Sequence, residues 1–154
     1  MIVFAQRHCK MLSKKFITAI LILFIGAAAQ LILGEFFGFW INFALAALVA
    51  VAFFLELIQL AFLALLAVFL LNSRPAFSYE LLFVAALPFL VLKLRELLPW
   101  HRWLSCGFFV FLGIAAMYAI FAPGIFVSDI QIFLIDALSA VIFGTVAFKT
   151  MKII

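Results

Sequence analysis

Charged side chains are scarce in this chain. Lys, Arg, Asp and Glu make up 10% of its 154 residues, whereas hydrophobic residues make up 71%. Water-soluble domains contain about 25% charged and about 45–50% apolar residues, and folding at this size buries only about 70% of the surface of the unfolded chain. The composition therefore excludes a soluble domain and predicts a single integral membrane domain.

Sequence motifs of common catalytic sites are also lacking. The chain has no H-E-x-x-H, no G-x-S-x-G and no glycine-rich phosphate loop. Its six acidic residues are spread over five regions, without the aspartate cluster that holds magnesium for lipid phosphotransfer. No predicted helix has the continuous polar face of a pore. We therefore predict that the protein is not an enzyme and has no catalytic residue, metal site or cofactor.

Cysteine and histidine are rare and isolated. Cys9 and Cys106 have no paired spacing, and no histidine lies at ligand distance in sequence, so we interpret them as packing residues without a redox task. His8 and His101 are interpreted as solvated or lipid-facing. The formal net charge of +4 favours membrane lipids as partners and not nucleic acid, because nucleic-acid binding needs an exposed basic face.

Apolar segments fill most of the sequence and predict an all-α bundle of six transmembrane helices. A basic cytoplasmic tail, 1–15, precedes a polytopic membrane domain, 16–154. We expect the first helix to be retained and not cleaved as a signal, because its apolar run is too long for a signal core. The predicted spans are 16–34, 39–54, 57–71, 79–98, 103–122 and 130–149.

The central stretch, 36–71, decides the topology. It carries one formal charge, Glu56, and as a single straight helix it would be about 54 Å long, against a hydrocarbon core of about 30 Å. We therefore predict two short helices that meet at Glu56. They either cross the membrane twice or form a shallow re-entrant pair, and both arrangements return the chain to the side it left.

The basic residues support this division. With two crossings, only Arg74 lies outside, whereas a single crossing would place the C-terminal lysines outside, against the positive-inside rule. Both termini are therefore predicted to be cytoplasmic, in the inner membrane. Three of the cytoplasmic basic residues are candidate contacts for a partner or for lipid: Lys93, Arg95 and Arg102.

A few polar side chains interrupt the apolar helices, where ionisable groups are costly and count as functional candidates. Asp136 is predicted to make a structural hydrogen bond with Asn42 or Gln30, with a transport or catalytic role as the alternative. Glu56 is interpreted as a solvated carboxylate at the cytoplasmic turn, with a proton-linked or cation site as the alternative. The candidate intramembrane contacts are Gln30, Asn42, Glu56, Gln59, Asp136 and Ser139.

Two further patterns concern the last helix. Small residues recur at steps of three and four and predict a ridge for tight helix packing. Ser128 and Asp129 predict an N-cap immediately before the helix. The small residues of the ridge are Ala137, Ala140, Gly144 and Ala147.

The layout resembles one known family. Residues 39–43, FWINF, lead into the aromatic-rich run NFALAALVAVAFF over 42–54, and together with the basic tail and the later spans they resemble the rod shape-determining protein MreD. The segment 56–59, ELIQ, stands where many members carry a glycine-rich, aspartate-containing stretch. The resemblance implies a non-catalytic inner-membrane component of the cell-elongation machinery that binds a bitopic protein, MreC, and helps couple cytoskeletal filaments to wall synthesis.

Two alternatives to this function remain open. The size and helix number are also similar to those of the solute-binding subunits of energy-coupling-factor transporters, which need a polar pocket that opens outward. An accessory subunit of a larger membrane complex, with no activity of its own, is the other alternative.

Overall fold

A computed structural model of the protein describes residues 2–37, 42–72, 79–96 and 101–154, with side chains from residue 14 onward except at 37, 126 and 127. Within these ranges the fold is all helical. The sequence predictions for Arg74, for residues 39–41 and for the side chains of His8 and Cys9 lie outside the described part. The helices are α1 (Ile2–Phe37), α2 (Phe43–Ala52), α3 (Leu57–Leu71), α4 (Tyr79–Leu94), α5 (Arg102–Phe121), α6 (Ile125–Ser128) and α7 (Ile130–Ile153).

Three helices are long and apolar enough to cross a membrane: Lys14–Phe36 within α1, all of α5 and all of α7. Helices α2 and α3 are apolar but have only 10 and 15 residues, so α2 is about 15 Å long, roughly half of the hydrocarbon core. Helix α4 has 16 residues. The described part of the chain therefore contains three candidate membrane spans and four shorter helices, α2, α3, α4 and the four-residue α6.

The central stretch is divided at the predicted place. Helix α2 ends at Ala52, residues 53–55 form a turn and bend, and Glu56 is the N-cap residue of α3 with an extended backbone (φ −84°, ψ 163°). Glu56 is exposed, whereas its neighbours Phe53 and Leu55 are buried. The single charged side chain of the stretch thus marks the point where the backbone leaves the helical conformation.

Helix α2 is the centre of the structure, because all ten of its residues are buried. It packs against α1, α3, α4, α5 and α7. Half of its sequence, FALAALVAVA, is alanine, and small side chains let neighbouring backbones approach closely. Gly26 of α1 and Gly144 of α7 face α2 closely, since a Cβ atom at these positions would lie 3.2 Å from the Phe43 carbonyl oxygen and 3.5 Å from the Ala46 carbonyl oxygen, respectively.

The small-residue ridge of α7 packs inside the protein. Its four residues are all buried, and a Cβ atom at Gly144 would lie 3.0 Å from Cγ2 of Val110 on α5. The predicted ridge therefore joins α7 to α2 and α5. The predicted N-cap position is confirmed, since Asp129 is the N-cap residue of α7, but its side chain makes no cap hydrogen bond. The Ser128 hydroxyl donates to the carbonyl of Gly124, the residue before α6.

The start of the first span and the end of the chain lie at the same end of the molecule. Lys15 Nζ lies 5.9 Å from the centroid of the Phe54 ring, and the Phe54 and Phe148 rings are 4.9 Å apart. Helix α4 also ends here, because Arg95 reaches the carbonyl of Ala52. We call this end of the molecule the basic end.

Helices that follow one another in the chain run antiparallel. Helix α5 meets α7 through Cys106 and Gly144 near the basic end and through Tyr118 and Phe133 near the other end. Helices α1 and α7 each contact both ends of α2, α1 in the opposite direction and α7 in the same direction. Helix α4 ends beside Ala52 and has its start beside the end of α5, and α3 begins where α2 ends. The chain direction therefore alternates along α1, α2, α3, α4, α5 and α7.

Large apolar side chains cover the outer surface of these helices. Ile25, Leu65, Phe69 and Ile142 are 60%, 72%, 80% and 62% exposed. A continuous apolar exterior of this kind is expected where the surrounding solvent is lipid.

Candidate functional site

The buried polar contacts of the described residues centre on Asp136. Its side chain is fully buried two turns into α7, and its two oxygens accept hydrogen bonds from Asn42: Oδ1 from the backbone N–H at 2.8 Å and Oδ2 from the side-chain amide at 2.6 Å. Asn42 is the N-cap residue of α2. The N-terminus of a helix carries unpaired N–H groups and a partial positive charge, which an acidic side chain complements.

A second helix supplies another acceptor to the same end of α2. Gln30 of α1 is buried, and its Oε1 accepts a hydrogen bond from the backbone N–H of Ala44 at 3.1 Å. The sequence named Asn42 and Gln30 as the two possible partners of Asp136. The structure pairs Asp136 with Asn42 and places Gln30 beside them as an independent cap of α2.

Tyr118 of α5 completes this cluster. Its side chain is 6% exposed, and its hydroxyl interacts with the Asp136 carboxyl group. Its ring stands edge-on to Phe133 of α7, with centroids 5.6 Å apart. Tyr118 was not among the intramembrane contacts predicted from the sequence. The available signal was a hydroxyl-bearing ring within an apolar span, which needs a polar partner when buried.

The opposite end of α2 is held by a basic residue. Arg95, which follows α4 and is half-buried, donates from Nη1 to the Ala52 carbonyl oxygen at 2.6 Å. The last carbonyl groups of a helix lack intrahelical partners and favour a cation. The sequence placed Arg95 among the contacts for a partner or lipid, whereas the structure gives it a contact within the protein.

The other candidate residues do not join the cluster. Ser139 donates to carbonyl oxygens of its own helix, at 2.6 Å to Ile135 and 3.0 Å to Asp136. Glu56 is exposed and Gln59 half-buried, near the opposite end of α2 from Asp136. Lys93 and Arg102 are exposed.

The arrangement is suited to holding a helix in place. Within the described ranges, every buried side-chain nitrogen and oxygen has a hydrogen-bond partner, and no group of three or more His, Cys, Asp or Glu residues there could hold a metal ion. Both ends of α2 are bonded to groups on other helices, acidic or amide at its start and basic at its end.

Comparison of the chain with protein-family models, with curated proteins and with solved structures gives no match.

Proposed function

We propose that the protein is a non-catalytic scaffold or assembly component of the inner membrane, similar in role to MreD, which supports the machinery of cell shape and wall elongation. The observation that carries this proposal is the pairing of Asp136 with Asn42, with O···N distances of 2.8 and 2.6 Å. An acidic residue within a membrane helix is a functional candidate by default. Here both of its oxygens bind the start of α2.

A rigid interior supports a scaffold role. The central helix is bonded at both ends and buried along its whole length, so the outer helices are held in fixed positions around it. A protein that assembles others needs such a defined surface more than it needs a mobile or hydrated interior. Partners would meet the apolar outer faces of the helices or the loops at either end.

The proposed topology has both termini in the cytoplasm and six membrane-embedded helices, with α2 and α3 forming either two crossings or a re-entrant pair. The alternation of chain direction supports an even number of passes. The basic end supports the cytoplasmic orientation, because Lys and Arg are enriched on that side of membrane proteins. The proposed partner is a bitopic protein of the MreC type.

Gentle-detergent purification with identification of co-purified proteins tests this proposal. We expect a bitopic protein of the wall-elongation machinery in the wild-type sample, and a widened or rounded cell shape when the protein is depleted in its host. Asp136→Ala, which removes the pairing with Asn42, should reduce this recovery. Ser139→Ala is its matched control, since the Ser139 hydroxyl bonds only to its own helix.

Two outcomes would reject the scaffold role. Recovery of a transporter ATPase as the stoichiometric partner would assign the chain to a transporter, as would a small molecule retained through purification. Depletion that leaves cell dimensions unchanged would exclude a part in wall elongation.

A further inference from the structure

The described charges are separated between the two ends of the molecule. The basic end contains the start of the first span, the end of α4, the start of α5 and the end of α7. Two acidic residues, Glu56 and Glu96, lie there as well. The basic residues at this end are Lys14, Lys15, Lys93, Arg95, Arg102, Lys149 and Lys152.

The opposite end has the reverse charge. Glu35 near the end of α1, Glu80 in the first turn of α4 and Asp129 before α7 are exposed there. Among the described residues no Lys or Arg accompanies them. The separation exceeds what is needed to satisfy internal contacts, because of the seven basic side chains only Arg95 donates a side-chain hydrogen bond to a backbone carbonyl in the described structure.

Apolar side chains lie directly next to these cations on the lateral surface. Ile17 follows the first two lysines at 55% exposure, Leu90 precedes Lys93 at 55%, and Val146 precedes Lys149 at 56%. Trp103, 50% exposed, adjoins Arg102, and tryptophan is enriched at the level of lipid headgroups. These exposed apolar side chains therefore border the basic end, and we call them the apolar wall: Ile17, Leu90, Trp103 and Val146.

Lys15 lies over one ring of an aromatic pair, Phe54 and Phe148, and Lys152 lies one helical turn beyond the other ring. Lys15 Nζ lies over the Phe54 ring, and this ring contacts Phe148. Lys152 is four residues after Phe148, on the same face of α7 and one turn nearer to the end of the helix. Lys15 and Lys152 thus belong to the same end of the molecule as the turn between α2 and α3.

We propose that the basic end binds the phosphate groups of anionic phospholipids, with Lys15, Lys149 and Lys152 as the main contacts. A phospholipid satisfies both parts of this surface, since its phosphate meets the cation and its acyl chains lie along the apolar wall. Each Lys or Arg near a membrane surface contributes about 1 kcal/mol of attraction to anionic lipid. Nucleic acid or an acidic protein segment would not use the apolar wall.

Competition between lipids tests the proposal on the purified full chain in detergent. Equal amounts of phosphatidylglycerol and phosphatidylcholine are added, and native mass spectrometry measures the ratio of bound lipids. We expect wild type to prefer phosphatidylglycerol. In the triple variant Lys15→Gln, Lys149→Gln, Lys152→Gln, the ratio of bound phosphatidylglycerol to phosphatidylcholine should fall about fivefold for each charge removed.

Three comparisons make the result specific. The matched control Glu35→Gln, Glu80→Gln, Asp129→Asn changes three exposed charges at the opposite end and should retain the preference. Replacement of the same lysines by arginine should also retain it, which separates loss of charge from misfolding. Raising the salt from 0.1 to 1 M shortens the screening length from about 10 to about 3 Å and should reduce the preference.

An unchanged lipid ratio in the glutamine variant would overturn the proposal, and so would an equal loss in the control variant. Inorganic phosphate at the lipid concentration should not displace phosphatidylglycerol. Full displacement would show that the acyl chains contribute nothing and that the surface is a phosphate site. The measurement involves no wall-elongation protein, so its outcome is independent of the proposed scaffold function.

Discussion

At the scale of single residues, Asp136 joins α7 to the start of α2 through two buried hydrogen bonds. Its carboxyl group meets the N–H and the side-chain amide of Asn42 where water is excluded. A buried donor that loses its acceptor costs about 1–3 kcal/mol, although single hydrogen bonds between membrane helices average nearer to about 0.6 kcal/mol. Two bonds at one helix end should therefore give a measurable contribution.

Replacement of Asp136 by alanine should lower the free energy of unfolding by about 1–3 kcal/mol. Two donors of Asn42 would lose their acceptors at the buried start of α2. Asparagine at the same position keeps one acceptor oxygen, so Asp136→Asn should cost less. Unfolding by SDS in mixed micelles measures both changes.

Ser139→Ala is the control for this series, because the Ser139 hydroxyl bonds only to its own helix. It should change the free energy of unfolding by less than about 0.5 kcal/mol. Equal effects of Asp136→Ala and Ser139→Ala would contradict the assigned role of Asp136.

Sequence alone identified part of this cluster. Asp136, Asn42 and Gln30 stood out because a polar side chain inside an apolar span must find a partner. Tyr118 did not, since a tyrosine is common near a membrane interface and its depth depends on the packing of α5. From the sequence, Arg95 was interpreted as a topological charge and as a candidate contact for a partner or lipid, and only the fold brings it to the Ala52 carbonyl.

At the scale of elements, α2 depends on its surroundings. Isolated helices shorter than about 12 residues are marginal in water, and α2 has 10. In a lipid environment its end groups cannot bond to water, so each must be met by protein. Gln30 and Asp136 at its start and Arg95 at its end fulfil this requirement.

Loss of the basic cap should loosen the end of α2. Arg95→Met should lower the free energy of unfolding by about 1–2 kcal/mol and speed amide exchange at the last residues of Phe43–Ala52. Lys93→Met is the matched control, because Lys93 is exposed and lies only two residues before Arg95. Lys93 lies in the last turn of α4, whereas Arg95 directly follows that helix. Hydrogen exchange detected by mass spectrometry follows both variants, and equal exchange rates would argue against a capping role for Arg95.

Close contact between α1 and α2 gives a second prediction for this helix. Gly26→Val should lower the free energy of unfolding by about 1–3 kcal/mol, since its side chain would press on the Phe43 backbone carbonyl, which cannot rotate away. A Cβ at Gly107 would meet only side-chain methyl groups at 3.6 and 3.7 Å, so Gly107→Val should cost less. Thermal denaturation in detergent compares the two; a larger loss at Gly107 would contradict the packing.

The boundaries of the longer elements were largely predictable. Apolar run length placed the spans near their observed positions, although α1 begins at Ile2, before the predicted start of its span at residue 16. The charge of Glu56 located the break between α2 and α3. The length of α2 could not be predicted from the sequence, because the apolar residues continue to position 55. The helix ends at Ala52, where Arg95 bonds to the carbonyl oxygen and where Phe53 and Leu55 are buried. The short α6 had no signal of its own.

At the scale of the whole molecule, the alternating chain direction and the separation of charge agree: the beginning and the end of the membrane domain lie together at the basic end. Contacts of Phe54 join the beginning and the end of the membrane domain. Lipid-facing apolar surface surrounds the bundle between the two charged ends. The six-helix layout follows if α2 and α3 lie inside this band, whether or not their turn reaches water.

Cysteine labelling in intact cells and in inverted vesicles tests this layout. In a background where Cys9 and Cys106 are replaced by serine and alanine, single cysteines at Glu56 and Lys152 should react with a membrane-impermeant maleimide from the cytoplasmic side. Cysteines at Glu80 and Asp129 should react from the outside, because they belong to the opposite end of the bundle. A cysteine at Ile142, exposed on the lateral surface of α7, should stay unlabelled on both sides since lipid covers it. Labelling of positions 56 and 152 from opposite sides would show that the chain does not return, whereas a cysteine at 56 that is unreactive while 152 reacts as expected would identify the α2–α3 pair as re-entrant.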